Sequence, residues 1–145
     1  DMAAAVLLPV GDLAVAHGVV LSVEPNPSIY GGNFITDLPG ALAFHRHVAH
    51  AGFGVNLDLG ERICNAPDDD TAGFAAAAHA VTHMQISAPS LAPPLGIQAR
   101  IAAAGTALVA AGYNRSISIE MRRSDDPLDV IARVVSEARS ALALV

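Results

Sequence analysis

Short apolar runs alternate with longer helical patterns along the whole chain. Four runs rich in valine, isoleucine and leucine cover residues 19–23, 54–58, 81–87 and 116–120. Each run lies between turn-forming residues and is too short for a helix. We therefore predict four short β-strands.

The segments between these runs carry apolar residues at helical spacing. Helices are predicted over residues 2–17, 38–50, 70–79, 97–111 and from residue 126 onward, with Pro9 and Gly11 interrupting the first. Asp37 and Asp126 are the predicted N-caps and Gly112 a C-cap residue. The predicted apolar face of the last helix consists of Leu128, Ile131, Val135, Ala138 and Leu142.

Strands that alternate with helices predict a parallel sheet built from right-handed βαβ units. Three of the four strands end in a carboxylate, at Glu24, Asp58 and Glu120, and the remaining strand carries His83. These four residues lie 34, 25 and 37 positions apart along the chain. A complete (β/α)8 barrel of about 250 residues averages roughly 31 residues per unit. We therefore predict that residues 1–145 form one α/β domain that amounts to about half of a TIM barrel.

The amino-acid composition of the chain excludes several classes of protein. The hydrophobic fraction of 52% over 145 residues excludes a disordered chain. The net charge of -6 provides no basic surface for nucleic acid or an anionic membrane, and no apolar run reaches the roughly 20 residues of a membrane span. Cys64 is the single cysteine, expected to be an inert thiol in a reducing, cytoplasmic compartment rather than a nucleophile.

The residues that close the strands carry the candidate chemistry. In a barrel they would converge at the carboxyl ends of the strands, where active sites lie. The carboxylates of Glu24, Asp58 and Glu120 would repel one another there, and a cation would relieve the repulsion. With the imidazole of His83 they suit Mn²⁺, Mg²⁺ or Co²⁺, with Zn²⁺ as a further option. Taken singly, each is also typical of a solvated strand end or a core histidine.

Five segments carry a resemblance to a known superfamily. They are LSVEPNP at residues 21–27, YGGNF at 30–34, GFGVNLDLG at 52–60, HMQIS at 83–87 and the stretch 112–122 that contains SISIEMR. Their order and spacing resemble the last four βα units of sugar phosphate isomerase/epimerase proteins, within the xylose isomerase-like TIM-barrel superfamily. The resemblance implies the C-terminal half of a barrel.

The resemblance also implies a divalent-metal-dependent isomerase or epimerase acting on a sugar or sugar phosphate. Its metal ligands would be Glu24, Asp58, His83 and Glu120. The metal would stabilise an enediolate, while Glu24 and Glu120 transfer the protons.

Two further positions are expected to contact the substrate. Glu61 stands three residues after Asp58, where many relatives have a substrate-binding histidine. Arg122 or Arg123, just past the last strand, would bind a substrate oxyanion or phosphate. Ala88 and Pro89 replace polar residues that relatives often carry after the third strand, so the identity of the sugar is not implied.

Several alternatives stay open. A lyase of the inosose or dehydroshikimate dehydratase type would use the same metal ligands, whereas a multi-zinc DNA-repair endonuclease is disfavoured by the acidic charge. The chain starts at Asp1 without a methionine, which suggests an incomplete reading frame. A non-catalytic half-barrel with unpaired strand edges is therefore a further alternative, and it would form a homodimer or pair with an N-terminal half. His45, His47 and His50 do not share one helix face and are expected on a solvated surface.

Overall fold

A computed structural model describes residues 2–68, 71 and 73–143 of the chain. The helices in this part are α1 (Met2–Ala16), α2 (Leu38–Val48), α3 (Leu59–Asn65), α4 (Phe74–Ala77), α5 (Gln98–Ala110) and α6 (Pro127–Ala141). The strands are β1 (Leu21–Val23), β2 (Phe53–Asp58), β3 (Val81–Ile86) and β4 (Ile117–Ile119). The predicted alternation is confirmed, although Asp70, where the third helix was expected to begin, lies outside the described residues.

The strands form one parallel sheet in the order β1-β2-β3-β4. Each strand therefore pairs with the next one along the chain, and the register is offset once, between Val55 and Asn56 of β2. A doubly wound sheet reverses its strand order at a switch point, whereas a barrel wall adds each strand beside the previous one. The predicted half-barrel arrangement of four parallel strands alternating with helices is confirmed.

The hydrophobic core lies between the helices and one face of the sheet. Alternate residues of the two central strands point into this core, as the two-residue period of a strand requires. The fully buried core residues include Val55, Leu57, Met84 and Ile86 from the sheet and Leu38, Phe74, Ile101 and Leu108 from the helices. The residues between them on the strands are polar and form the opposite face.

Helix α3 was not predicted from the sequence. It begins directly after β2 because Asp58, the last residue of the strand, is also the N-cap of the helix. The Asp58 side chain accepts a hydrogen bond from the backbone N–H of Glu61, as N-cap residues do. Because no loop separates β2 from α3, no turn-forming residues mark the boundary between them in the sequence.

The apolar face predicted for α6 is correct only in its second half. The helix begins as predicted, with Asp126 as N-cap and Pro127 in the first turn. Its buried residues are Val134 and Ala138, whereas Leu128 is 80% exposed. Ile131 and Val135 are exposed as well, because no neighbouring element of the described chain covers this side.

The interruption predicted for α1 does not occur, and the helix continues through Pro9. Gly11 is instead a point of close packing between α1 and the turn before β2. A Cβ atom on Gly52 would lie 2.9 Å from the Cα of Gly11, which leaves no room for a side chain. No helix among the described residues is long and apolar enough to cross a membrane.

Candidate active site at the carboxyl ends of the strands

A cavity of about 470 Å³ lies where the strands end. Three of the residues expected at this edge line it together: Glu24 after β1, Asp58 at the end of β2 and Glu120 after β4. Ser87, which follows β3, completes a ring of polar residues from all four strands. The parallel order of the sheet brings these positions together, although they are distant in the sequence.

Asp58 is the most firmly held of the three carboxylates. Its Oδ1 accepts the Glu61 N–H at 2.6 Å and its Oδ2 accepts the Ser87 hydroxyl at 2.6 Å. The side chain is buried, and burial raises its pKa, while the hydrogen bonds from Ser87, Glu61 and Gly60 oppose that shift. The orientation of Asp58 is therefore fixed by both neighbouring elements, α3 and the segment after β3.

Glu24 belongs to an amide network across the polar face of the sheet. The Asn56 side-chain amide donates to Glu24 Oε2 at 2.5 Å and also to Gln85 Oε1. The Oδ1 atom of Asn56 is buried without a hydrogen-bond partner. Buried carbonyl oxygens are normally satisfied, so this unpaired atom beside Glu24 is an exception among the described residues.

Neighbouring carboxylates raise the pKa of Glu24 and Glu120. Loss of hydration at the cavity is the main cause that raises the pKa of Glu24, and the charges of Asp58 and Glu120 raise it further. Loss of hydration and the charge of Asp58 likewise raise the pKa of Glu120. No arginine, lysine or histidine is among the described residues that line the cavity. The site therefore has an excess of negative charge that a cation would relieve.

Glu61 lines the same cavity from the first turn of α3. It is only 3% exposed, and burial is the main cause that raises its pKa to about 7. The Asn65 side-chain amide donates to Glu61 Oε1 at 2.5 Å and opposes the shift. At neutral pH a substantial fraction of Glu61 is therefore protonated and able to donate a hydrogen bond.

The structure does not bring His83 into this group of residues. His83 pairs in register with Asn56, whereas Gln85 pairs with Asp58, so His83 lies one step further from the strand ends. Its Nε2 is 2.7 Å from Ser118 Oγ and its Nδ1 is 3.3 Å from Ser116 Oγ. Both ring nitrogens thus contact hydroxyl groups of the β4 strand segment.

The two arginines also lie outside the cavity lining. The backbone N–H of Arg122 donates to the carbonyl oxygen of Leu91 at 2.8 Å, and Leu91 does line the cavity. The side chains of Arg122 and Arg123 are exposed. Arg122 is therefore a residue of the cavity rim.

Three segments meet at the cavity in a contact that the sequence did not predict, and this contact is called the roof of the cavity. The hydroxyl of Tyr30 accepts the Ser90 N–H at 2.7 Å and lies 3.2 Å from Cys64 Sγ, so the segments after β1, β2 and β3 meet there. Ser90 and Leu91 have φ angles of 60° and 53°, a left-handed conformation that is strained for residues other than glycine. Only the pairing of distant loops reveals this roof, and no local sequence signal indicates it.

The chemistry of the side chains at this cavity can be compared with the ligands that metal ions prefer. Within the described ranges, no three His, Cys, Asp or Glu side chains are close enough to hold an ion. The carboxylates of Glu24, Asp58 and Glu120, with the unsatisfied oxygen of Asn56 nearby, are nevertheless the hard oxygen donors that Mg²⁺ and Mn²⁺ prefer. A cation would also relieve the repulsion among these carboxylates, so the residues present fit a divalent metal ion.

Three solved structures of sugar epimerases share this fold. The 3-keto-D-glucoside 4-epimerase of E. coli superposes with a TM-score of 0.81 at 16% identity, covering 96% of this chain and 52% of the enzyme. This chain has the fold of half a sugar-epimerase barrel. An L-ribulose 3-epimerase gives a TM-score of 0.77 at 23% identity, covering 97% of this chain and 52% of the enzyme.

A third epimerase structure also superposes on this chain. The D-psicose 3-epimerase of Clostridium cellulolyticum H10, solved with D-tagatose, gives a TM-score of 0.66 at 20% identity. The match covers 93% of this chain and 51% of that enzyme. No family model matches the sequence, and no curated protein matches it at a significant level. The half-barrel thus spans about half the length of the structures it resembles, and the expected likeness to xylose isomerase-like epimerases is confirmed for the fold.

Proposed function

We propose that this half-barrel carries the metal-binding and proton-transfer residues of a divalent-metal-dependent sugar isomerase or epimerase. The observation that supports the proposal most directly is that Glu24, Asp58 and Glu120 line one cavity at the carboxyl ends of the strands. The solved structures with this fold are named as epimerases of L-ribulose, D-psicose and a 3-keto-D-glucoside, all of which contain a carbonyl group. We therefore infer a carbonyl-containing sugar as the substrate.

Glu24 and Glu120 are the proposed acid and base. They follow β1 and β4, the two outer strands of the sheet, and so reach the cavity from opposite sides. One carboxylate would remove the proton from the carbon beside the carbonyl and leave an enediolate. The other, in its protonated form, would return a proton to the opposite face. In the chain without a metal ion, burial raises the pKa of both carboxyl groups, and a bound cation would lower them again.

Glu24, Asp58 and Glu120 would hold a divalent ion such as Mn²⁺, Mg²⁺ or Co²⁺ through oxygen atoms, once their side chains move closer together than they are in the described structure. When bound, the ion would supply positive charge that stabilises the negative charge developing on the substrate oxygens. The hydrogen bonds from Ser87 and Glu61 keep the Asp58 carboxylate oriented, and this removes part of the ordering cost of binding.

The fourth ligand is proposed to be Gln85 rather than His83. Gln85 lies in register with Asp58 and accepts a hydrogen bond from the same Asn56 amide that binds Glu24. An amide oxygen is an accepted ligand of hard divalent ions. For His83 to serve, its ring would have to leave Ser118, 2.7 Å away.

Glu61 and Arg122 are the proposed substrate contacts. A protonated Glu61 can donate a hydrogen bond to a sugar oxygen inside the cavity. Arg122 lies at the rim beside Leu91, so it would meet only a part of the substrate that extends beyond the cavity.

A second half-barrel is the proposed partner, either another copy or an N-terminal half. Both outer strands have one unpaired edge in the described chain. The helices beside these edges expose apolar side chains, which include Val6 and Leu13 of α1 and Leu128 and Ile131 of α6. We expect the chain alone to be weakly active for this reason.

The test is proton exchange in D₂O. The purified chain with Mn²⁺ is incubated with L-ribulose or D-psicose, and loss of the proton beside the carbonyl is followed by NMR. We expect slow exchange that needs both the metal ion and Glu120, so Glu120→Gln should reduce the rate by at least about 100-fold. Asp125→Asn, an exposed carboxylate just past the site, is the matched control and should keep the rate.

Two outcomes would contradict the proposal. One is exchange that persists in the Glu24→Gln, Glu120→Gln double variant, because the proton would then move through other groups. The other is binding of Mn²⁺ without any exchange for either sugar, which would leave a metal-binding half-barrel with no epimerase chemistry.

A further inference from the structure

A second cavity lies at the opposite, amino-terminal end of the strands. Its volume of about 360 Å³ falls within the roughly 300–1,000 Å³ that is typical of small-molecule sites. Segments that precede all four strands line it, and its polar side chains are His45, His50, His79, Thr82 and Arg115. Of the three histidines expected on a solvated surface, His47 is exposed, whereas His45 and His50 are half-buried and line this cavity.

His45 from α2 meets His79, a residue 34 positions further along, which lies between α4 and β3. Their ring centroids are 6.5 Å apart, and the ring planes differ by 26°. The Nδ1 atom of His45 is buried without a hydrogen-bond partner. A buried polar atom with no partner is destabilising, so a small rotation of the His45 ring that brings Nδ1 to a ligand in the cavity would gain free energy.

The charges around His45 are positive. Burial lowers the pKa of His45, and His79 and Arg46 lower it further. Arg115 lines the same cavity, and its guanidinium is permanently charged. The two ends of the strands therefore differ, with three carboxylates at one cavity and Arg115 with three histidines at the other.

The remaining polar groups of this cavity are already engaged. His50 accepts the Gly52 N–H on Nδ1 at 3.0 Å, and its Nε2 lies 3.2 Å from the exposed carboxylate of Asp12. The Thr82 hydroxyl is 2.6 Å from that of Ser22. The donors left for a ligand are thus on His45, His79 and Arg115.

The dipole of α2 explains only some of these cations. Basic residues in the last turn of a helix compensate its negative end, which accounts for the exposed Arg46 and His47. It does not explain why His45 has a buried nitrogen without a partner. Nor does it explain why His79 and Arg115 line the same cavity from two other segments.

We propose that this amino-terminal cavity binds a phosphate-type oxyanion through His45, His79 and Arg115. Oxygen atoms of such an anion accept hydrogen bonds from imidazole and guanidinium N–H groups, and these charge-assisted bonds are stronger than neutral ones. The anion would be a free phosphate ion or the phosphate group of a small molecule. The site is independent of the carboxylate cavity and of its chemistry.

The test is a titration followed through the histidine ring protons by NMR. Inorganic phosphate and glycerol 3-phosphate are added separately at constant pH and ionic strength, with sodium chloride as the ionic control. The six histidines are assigned by single His→Gln variants. We expect the His45 and His79 signals to move with saturation, while those of His17 and His83 remain unchanged.

Variants distinguish this site from non-specific binding. Arg115→Gln and His79→Gln should each weaken binding about tenfold, whereas His17→Gln should not, because His17 is exposed and is not among the residues that line the cavity. Circular dichroism verifies that each variant is folded. Tighter binding of glycerol 3-phosphate would identify a phosphorylated molecule as the ligand, and equal binding would identify phosphate itself. No saturable shift with either anion, or equal weakening by His17→Gln, would overturn the proposal.

Discussion

Ser87 donates a hydrogen bond of 2.6 Å to Asp58, and the same hydroxyl accepts the Gly60 N–H at 2.9 Å. One buried side chain thus connects the ends of β2 and β3 and holds the central carboxylate of the candidate site. Gly60 has no room for a Cβ atom, because that atom would collide with Ser87 Oγ. The orientation of Asp58 therefore depends on a small residue at position 60 and a hydroxyl at position 87.

Ser87→Ala should destabilise the protein by about 1–3 kcal/mol, because it leaves the buried Gly60 N–H and Asp58 oxygen without a partner. The pKa of Asp58 should rise further, since a hydrogen bond that lowers it is lost. Urea denaturation measures the free energy of unfolding. Ser136→Ala, on the exposed side of α6, is the control and should change it by no more than about 0.5 kcal/mol. Equal stability of both variants would contradict the role of Ser87.

Glu61 should make stability fall as the pH rises from about 4.5 to about 7. Its pKa is raised to about 7 in the folded chain, so between these values the folded state binds more protons than the unfolded state. Without added metal, Glu61→Gln should remove the part of this slope that Glu61 contributes and stabilise the protein at pH 8 by about 1–3 kcal/mol. The raised pKa values of Glu24, Asp58 and Glu120 leave a smaller slope of the same sign. Denaturation at a series of pH values measures the effect. Asp125→Asn should keep the wild-type slope, and an unchanged slope in Glu61→Gln would contradict the assignment.

Tyr30→Phe should loosen the roof of the cavity. The variant loses the hydrogen bond to the Ser90 N–H, and the strained conformation of Ser90 and Leu91 is then held by the Arg122 N–H bond to the Leu91 carbonyl. We expect faster hydrogen exchange of the Ser90 amide by about tenfold, measured by NMR. Tyr113→Phe is the matched control, because Tyr113 donates to the Ser116 carbonyl instead and should leave the Ser90 amide unchanged. Slow exchange in both variants would show that Tyr30 does not support the roof.

Gln85→His should strengthen the binding of Co²⁺ or Zn²⁺ by about tenfold or more. An imidazole at this position would lie in register with Asp58, and these ions bind imidazole better than an amide oxygen. His83→Gln should change the affinity little, because residue 83 lies one step further from the strand ends. Calorimetry on both variants measures the affinities. Loss of binding in His83→Gln would instead support His83 as a ligand.

The periodic parts of the fold could be predicted from the sequence. Strands at β2 and β3 and helix α5 were recognisable because their apolar residues face a core built within the chain. The outward Leu128 and Ile131 of α6 could not be foreseen, since the pattern shows that a face is apolar and does not show whether a neighbour covers it. Helix α3 escaped prediction because Asp58 ends a strand and starts a helix at once.

The carboxylates of the candidate site could be predicted from the sequence, whereas the amide side chains of Asn56 and Gln85 could not. A carboxylate that closes an apolar strand is visible in the sequence, as Glu24 and Glu120 show. His83 and Gln85 are two residues apart in β3, so their side chains lie on the same face of the sheet. Only the pairing of β3 with β2 shows that Gln85, and not His83, lies beside Asp58. The network around Asn56 depends on the same register.

Binding of Mn²⁺ by calorimetry tests the central claim most directly. The wild-type chain is compared with an Asp58→Asn, Glu120→Gln double variant and with Asp125→Asn, all shown to be folded by circular dichroism. We predict one ion per chain for the wild type and for Asp125→Asn, and no binding by the double variant. Equal binding by all three proteins, or none by the wild type, would contradict a metal site formed by Glu24, Asp58 and Glu120.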